Sequence, residues 1–238
     1  MSYLKTVDKI IYSSTKFYEE LKNDENGRYR SWEQCYTAFC EARNKKDIDY
    51  DYLSLMLAFY LASWGMYRGS SFLLQRDYKV HIPVVKEIMK SKYDCLVGIN
   101  CSELKDPKVL KVVCVDLPGL IKKHYRPHRL KVVEKRIEKD ISDTLITKIL
   151  MGTLACVPAY DRYFIDGIKK ESISTGNFND KSMIKLIEFY EDNKKELDKV
   201  RKSMKVGKRE YPQMKMLDMG FWQIGFDLDK SKGIKKSH

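Results

Sequence analysis

The chain has 238 residues, of which 43% are apolar, and its 45 Lys+Arg against 33 Asp+Glu leave a formal charge of +12. That is enough apolar material for a sizeable core, while no run of eighteen uncharged apolar residues is present to cross a bilayer as a helix. The opening Met1-Ser2-Tyr3-Leu4-Lys5 has no apolar signal core, so the expectation is a cytoplasmic protein with no membrane partner.

With only 6 Pro and 12 Gly, and apolar residues recurring at three- and four-residue spacing, the pattern predicts an all-α chain, a compact multi-helix bundle with a division into two lobes left open. Ile10, Ile11, Phe17, Tyr18 and Leu21 mark a first helix ending before Asn23–Gly27. Ser31-Trp32-Glu33-Gln34 reads as a capping box opening a helix that buries Trp32, Cys35, Tyr36 and Phe39. Tyr52–Trp64 is so apolar that it is expected to be the central core helix. Pro83 and Asp106-Pro107 read as helix starts, and Val109–Val115, although β-branched, is assigned to helix for want of strand partners. Ser142 or Asp143 caps a helix over Thr144–Met151, and Pro158 starts or redirects the next segment. Asn177–Asp180 introduces one long amphipathic helix reaching Val200. Lys205–Arg209 reads as a basic linker, and Pro212 opens a last helix stopped at Gly225. Residues 1–228 are thus expected to form a single helical domain, with 229–238 a loose basic tail.

The charge is unevenly placed. Residues 1–120 carry 18 basic and 16 acidic side chains, whereas residues 121–238 carry 27 and 17. One cluster comprises Lys122, Lys123, Arg126, Arg129, Lys131, Lys135, Arg136 and Lys139; a second comprises Arg201, Lys202, Lys205, Lys208 and Arg209. Such clusters suit a polyanion, since each neutralised phosphate releases condensed counterions, and the expected partner is nucleic acid, DNA first. The six cysteines include no CxxC pair, so buried free thiols are expected rather than a metal cage or disulfides. His124 and His128 have a metal-like spacing, but Pro127 lies between them and cations surround them, so no metal and no cofactor are expected. No GxxxxGK[ST], GxGxxG or GxSxG occurs, which argues against nucleotide hydrolysis, dinucleotide binding and serine-hydrolase chemistry.

Two segments carry polar groups where a structural helix has little use for them. In Ser63-Trp64-Gly65-Met66-Tyr67-Arg68-Gly69-Ser70-Ser71, the side chains of Arg68, Ser70 and Ser71 suit a phosphate or polar substrate, and Trp64 or Tyr67 offers a stacking surface. A helix contact at the glycines, with Arg68 paired to an acid, is the plainer alternative. In Val157-Pro158-Ala159-Tyr160-Asp161-Arg162-Tyr163-Phe164, a lone aspartate opens a helix, where the dipole favours its carboxylate form. The alternative there is a purely structural helix-start acid or a buried Asp–Arg pair.

A helix, a short apolar turn, a proline and an aspartate opening the next helix resemble the corresponding part of helix-hairpin-helix DNA glycosylases. Both motifs are also similar to segments of uncharacterised bacterial proteins. The glycosylase resemblance implies a two-lobed, glycosylase-like helical fold, with Asp161 in the place of the catalytic aspartate and Thr147–Leu154 as the helix after the hairpin. It implies a monofunctional DNA N-glycosylase, removing a modified or foreign base, with Trp64, Tyr67, Tyr160, Arg162 and Tyr163 about the extruded base and the basic clusters on the phosphates. Residues 131–146 contain no glycine to form the family's hairpin, and no lysine is assigned to lyase chemistry. Two other classes remain open: a non-catalytic nucleic-acid-binding protein, and a toxin-like effector with an acidic protein partner. Oligomeric state is not legible.

Overall fold

The computed structural model describes residues 5–69, 71–130 and 140–236. Twelve α-helices and one two-stranded hairpin make up the regular structure of the described residues, an all-α fold. The helices are α1 (Thr6–Asn23), α2 (Ser31–Ala42), α3 (Tyr50–Ser63), α4 (Ile82–Ile88), α5 (Cys101–Leu104), α6 (Pro107–Lys111), α7 (Leu117–Leu130), α8 (Asp143–Thr153), α9 (Arg162–Lys170), α10 (Asp180–Asp192), α11 (Lys194–Arg201) and α12 (Gln213–Lys236). No described helix is long and apolar enough to cross a membrane.

Many helix starts follow from their caps. Asp49 accepts from the Tyr52 N–H at 2.9 Å to open α3, Asp106 accepts from Lys108 and Val109 ahead of Pro107 in α6, and Ser142 accepts from Leu145 at the head of α8. Ser31 does not cap. A 3-10 turn over Arg28–Arg30 runs straight into α2, so Ser31 is already helical and its buried hydroxyl has no partner among the described residues. Val112–Asp116 is helical, as expected, but wound as a π turn, with the Leu117 N–H donating to the Val112 carbonyl. The wider turn stands just before Pro118, whose ring would press on a carbonyl four residues back in a regular helix.

The central element is α12 rather than α3. Gln213 through Gln223 are all buried, and α1 and α9 pack along α12 on either side. By contrast, α3 buries Leu53, Leu57, Tyr60 and Leu61 but leaves Tyr52, Leu55 and Phe59 about half exposed. Nor does α12 stop at Gly225. A Cβ there would collide with the Tyr163 carbonyl, as one on Gly167 of α9 would with that of Phe221, so these glycines let α9 and α12 touch backbone to backbone. The helix continues to Lys236, through the segment expected to be a loose tail.

Two further expectations are corrected. The long helix over 180–200 is broken at Asn193 into α10 and α11, with Asn179 capping α10 through the Ser182 N–H. The linker at 205–209 is an antiparallel hairpin, β1 (Lys205–Val206) and β2 (Arg209–Glu210), paired Lys205 to Glu210 and Val206 to Arg209, with Gly207 at φ +58° in the turn. All six cysteines are free; Cys35, Cys40, Cys101 and Cys156 are buried, but Cys95 is exposed and Cys114 half-buried.

Candidate functional site

The connection from α8 to α9 is held by side chains of α8 and α12. The Tyr160 N–H donates to Thr147 Oγ1 at 2.9 Å, Thr144 Oγ1 donates to the Tyr160 carbonyl at 2.9 Å, and the Ala159 N–H donates to Asp218 Oδ1 at 2.8 Å. Ala155, buried at the turn out of α8, holds φ +52°, a conformation that costs a non-glycine residue about 1 kcal/mol. Pro158 lies within this connection and opens no helix; the opener is Asp161, the N-cap of α9. Asp161 Oδ1 accepts from the Phe164 N–H at 3.1 Å, and its Oδ2 accepts from Lys148 Nζ at 2.8 Å.

Lys148 reaches Asp161 from the middle of α8 with its side chain 2% exposed, against 16% for Asp161. Its ammonium also lies 4.7 Å from the centre of the Trp64 ring. A second buried lysine, Lys215, pairs with Asp218 at 2.9 Å and stands 4.7 Å from the Trp32 ring and 5.7 Å from that of Trp64. Asp218 therefore serves both as counter-ion to Lys215 and as anchor for the segment leading into Asp161. Trp64 is flanked by two ammonium groups rather than standing as a free platform.

Beside Asp161 opens a cleft of about 750 Å³. Its described walls are Trp64, Met66, Phe72, Tyr163 and Trp222, with Thr144, Lys148 and Asp161 on one side and Arg28, Arg68, Arg129 and Arg162 about it. Trp222 packs edge-on against Trp64 at 5.8 Å and Tyr163 at 5.2 Å, and stacks on Phe226 at 4.9 Å. The indole N–H groups of Trp64 and Trp222 are buried and have no acceptor among the described residues.

Of the residues singled out in sequence, Asp161, Trp64, Arg68, Ser71, Arg162 and Tyr163 come together at this cleft. Ser71 also caps the 3-10 turn that follows it, and Arg162 pairs with Asp229 at 2.9 Å. Tyr67 is absent from the cleft lining: its hydroxyl meets His81 Nε2 at 2.6 Å, while His81 Nδ1 meets the Tyr125 hydroxyl at 2.5 Å, tying the Trp64–Arg68 loop to α7. Tyr160 is buried in the core, its hydroxyl 2.8 Å from Ser182 Oγ, which corrects its placement against a substrate. Ser70 and Lys131 lie outside the described residues, as do Lys135, Arg136 and Lys139.

The basic clusters divide in the same way. Arg129 lines the cleft and donates to the Asp140 carbonyl; Arg126 is paired with the Asp140 carboxylate at 3.0 Å, and Lys122 and Lys123 are not part of the lining. Arg201 is a core residue, bonded to Asp198, the Tyr190 hydroxyl and the Tyr211 carbonyl, which removes it from any phosphate contact. Lys205 pairs with Glu210, and Lys202, Lys208 and Arg209 lie away from the cleft.

Among the members of the site that went unread in sequence are Lys148, Arg28 and Trp222. Lys148 did leave a signal. In Ile146-Thr147-Lys148-Ile149-Leu150 a lone cation interrupts a helix with no wet face, and such a cation needs an internal counter-charge. Arg28 and Trp222 left none, because only the packing of α1, α9 and α12 brings them to the cleft. No protein-family model, no curated protein and no solved structure matches this chain significantly.

Proposed function

We propose that the chain is a cytoplasmic protein acting on nucleic acid, and that the cleft cleaves an N-glycosidic bond, as a monofunctional DNA glycosylase does. The observation that carries this reading is the Asp161–Lys148 pair in the wall of an aromatic cleft about which four arginines gather. When the C1′–N bond breaks, the base leaves with the bonding electrons and positive charge develops on the sugar; an aspartate carboxylate facing C1′ stabilises that charge. Water then adds to C1′, one of its protons passing to Asp161 or to solvent, while the departing base gains a proton. Lys148 and the Phe164 N–H orient the carboxylate, Tyr163 and Trp222 shield the base from water, and the arginines take phosphate.

The same contacts support a second reading. Both Asp161 oxygens already have partners, so Asp161 has a structural task, and a non-catalytic nucleic-acid-binding protein uses the cleft without bond cleavage. Incubation with oligonucleotides bearing modified bases, followed by alkaline strand scission and detection of free base, separates the two. Wild type should release base and Asp161→Asn should reduce the rate at least about 100-fold while still binding. Binding without base release from any substrate leaves only the second reading.

A further inference from the structure

The arginines about the cleft differ in how their charge is met. Arg162 has Asp229, and Arg129 donates to the Asp140 carbonyl, whereas Arg28 and Arg68 have no carboxylate partner among the described residues. Both are tied to Trp64. The Arg28 guanidinium lies 4.9 Å from the centre of the Tyr29 ring, and that ring meets Trp64 at 5.1 Å and Trp222 at 5.7 Å. Arg68 folds back onto Gly65, the residue after Trp64, where a Cβ would stand 3.1 Å from Arg68 Nε; Gly65 at φ +75° allows that approach. Two guanidinium groups thus reach one cleft from separate segments, each planar and preset for an anion.

Beyond the cleft, three described cations of the basic clusters already have acidic partners: Arg126 pairs with Asp140, Arg201 with Asp198 and Glu210, and Lys205 with Glu210. A cleft of about 750 Å³ lies within the usual range for one small ligand, and the rings of Trp64, Tyr163 and Trp222 in its wall offer apolar surface to a planar base. We propose that Arg28 and Arg68 form a phosphate subsite, and that the cleft takes a single nucleotide unit, free or as one unstacked member of a strand, with its base among Trp64, Tyr163 and Trp222. This rests on the nucleic-acid reading above and narrows its substrate to one phosphate-bearing nucleotide.

Tryptophan fluorescence titration of the full chain tests it, using the common nucleosides, their 5′-monophosphates, inorganic phosphate, a single-stranded heptanucleotide and its duplex. At least one monophosphate should bind about tenfold or more tighter than its nucleoside, and Arg28→Ala/Arg68→Ala should erase that preference. Both arginines lie at the surface, and unchanged thermal melting of the double variant shows that it folds. Equal binding of nucleoside and monophosphate, a preference that survives in the double variant, or a duplex bound about tenfold tighter than the heptamer overturns the proposal. A monophosphate bound as tightly as the heptamer identifies a free nucleotide as the source, and a heptamer bound about tenfold tighter identifies a strand; either result upholds the subsite. The two proposals fail separately: base release from an oligonucleotide alongside a double variant that keeps the preference removes only the subsite. A phosphate preference with no base release removes only bond cleavage.

Discussion

Lys148 and Lys215 are lysines with almost no solvent contact, and each has an aspartate within 2.9 Å. An unpaired buried ammonium is costly, so the worth of each pair shows chiefly when one member is removed. Lys148→Met should destabilise the fold by about 2–4 kcal/mol, somewhat below the range for a wholly buried pair because Asp161 keeps some exposure. Adding Asp161→Asn should recover part of that loss. Denaturant melts of the four proteins would show a coupling of at least about 1 kcal/mol, and additive losses would mean that the pair is not a unit. His81 illustrates a different effect. Burial pushes its imidazole down from 6.5 to about 3, so it is neutral between the Tyr67 and Tyr125 hydroxyls, donating to one and accepting from the other. A depressed histidine contributes stability that is complete above pH 6.5 and is lost as pH falls toward 3, because the unfolded chain takes up the proton first. Between pH 6 and 4, wild type should therefore lose about 1.4 kcal/mol per pH unit more than His81→Gln, measured by urea unfolding at stepped pH. Parallel curves would show that the site does not hold a neutral ring.

Among the elements, the contact of α9 with α12 governs the geometry of the cleft, since α9 begins at Asp161 and α12 carries Trp222. Gly167 and Gly225 bring the two backbones together, and neither position has room for a methyl group. Gly225→Ala should cost about 3 kcal/mol or more, because the Tyr163 carbonyl that it would strike is backbone and cannot swing aside. Calorimetry measures that loss, and a melting temperature unchanged from wild type would contradict the close crossing. On α3, Tyr52, Leu55 and Phe59 form an exposed stripe at three- and four-residue spacing, while the opposite side packs inward. The run is apolar all round in sequence, but its neighbours cover only one side.

For the whole molecule, a charge of +12 provides long-range attraction to any polyanion, yet contact with one depends on which cations are free. Arg201 is held in the core, Arg126 and Lys205 have surface acidic partners, and four arginines line the cleft. Single-stranded oligonucleotide affinity should accordingly fall with salt along a shallow log–log slope of about −1.4 to −2.8, corresponding to two to four phosphates. A slope steeper than about −5 would reveal an extended basic track instead.

Periodicity, caps and prolines in the sequence determined the helical class, the starts of α6, α8, α10 and α12, and the placing of Asp161 at a helix opening within an aromatic, arginine-bearing segment, because these are short-range effects of backbone and side chain. Tertiary structure alone decided that α12 rather than α3 is central, that Tyr160 and Arg201 are buried, and that Lys148, Arg28 and Trp222 join Asp161 at one cleft. Burial and ion pairing depend on what packs from far along the chain: the sequence around Lys148 signals that its charge needs a partner but not which one, and a glycine inside a helix reads the same whether it faces water or another backbone.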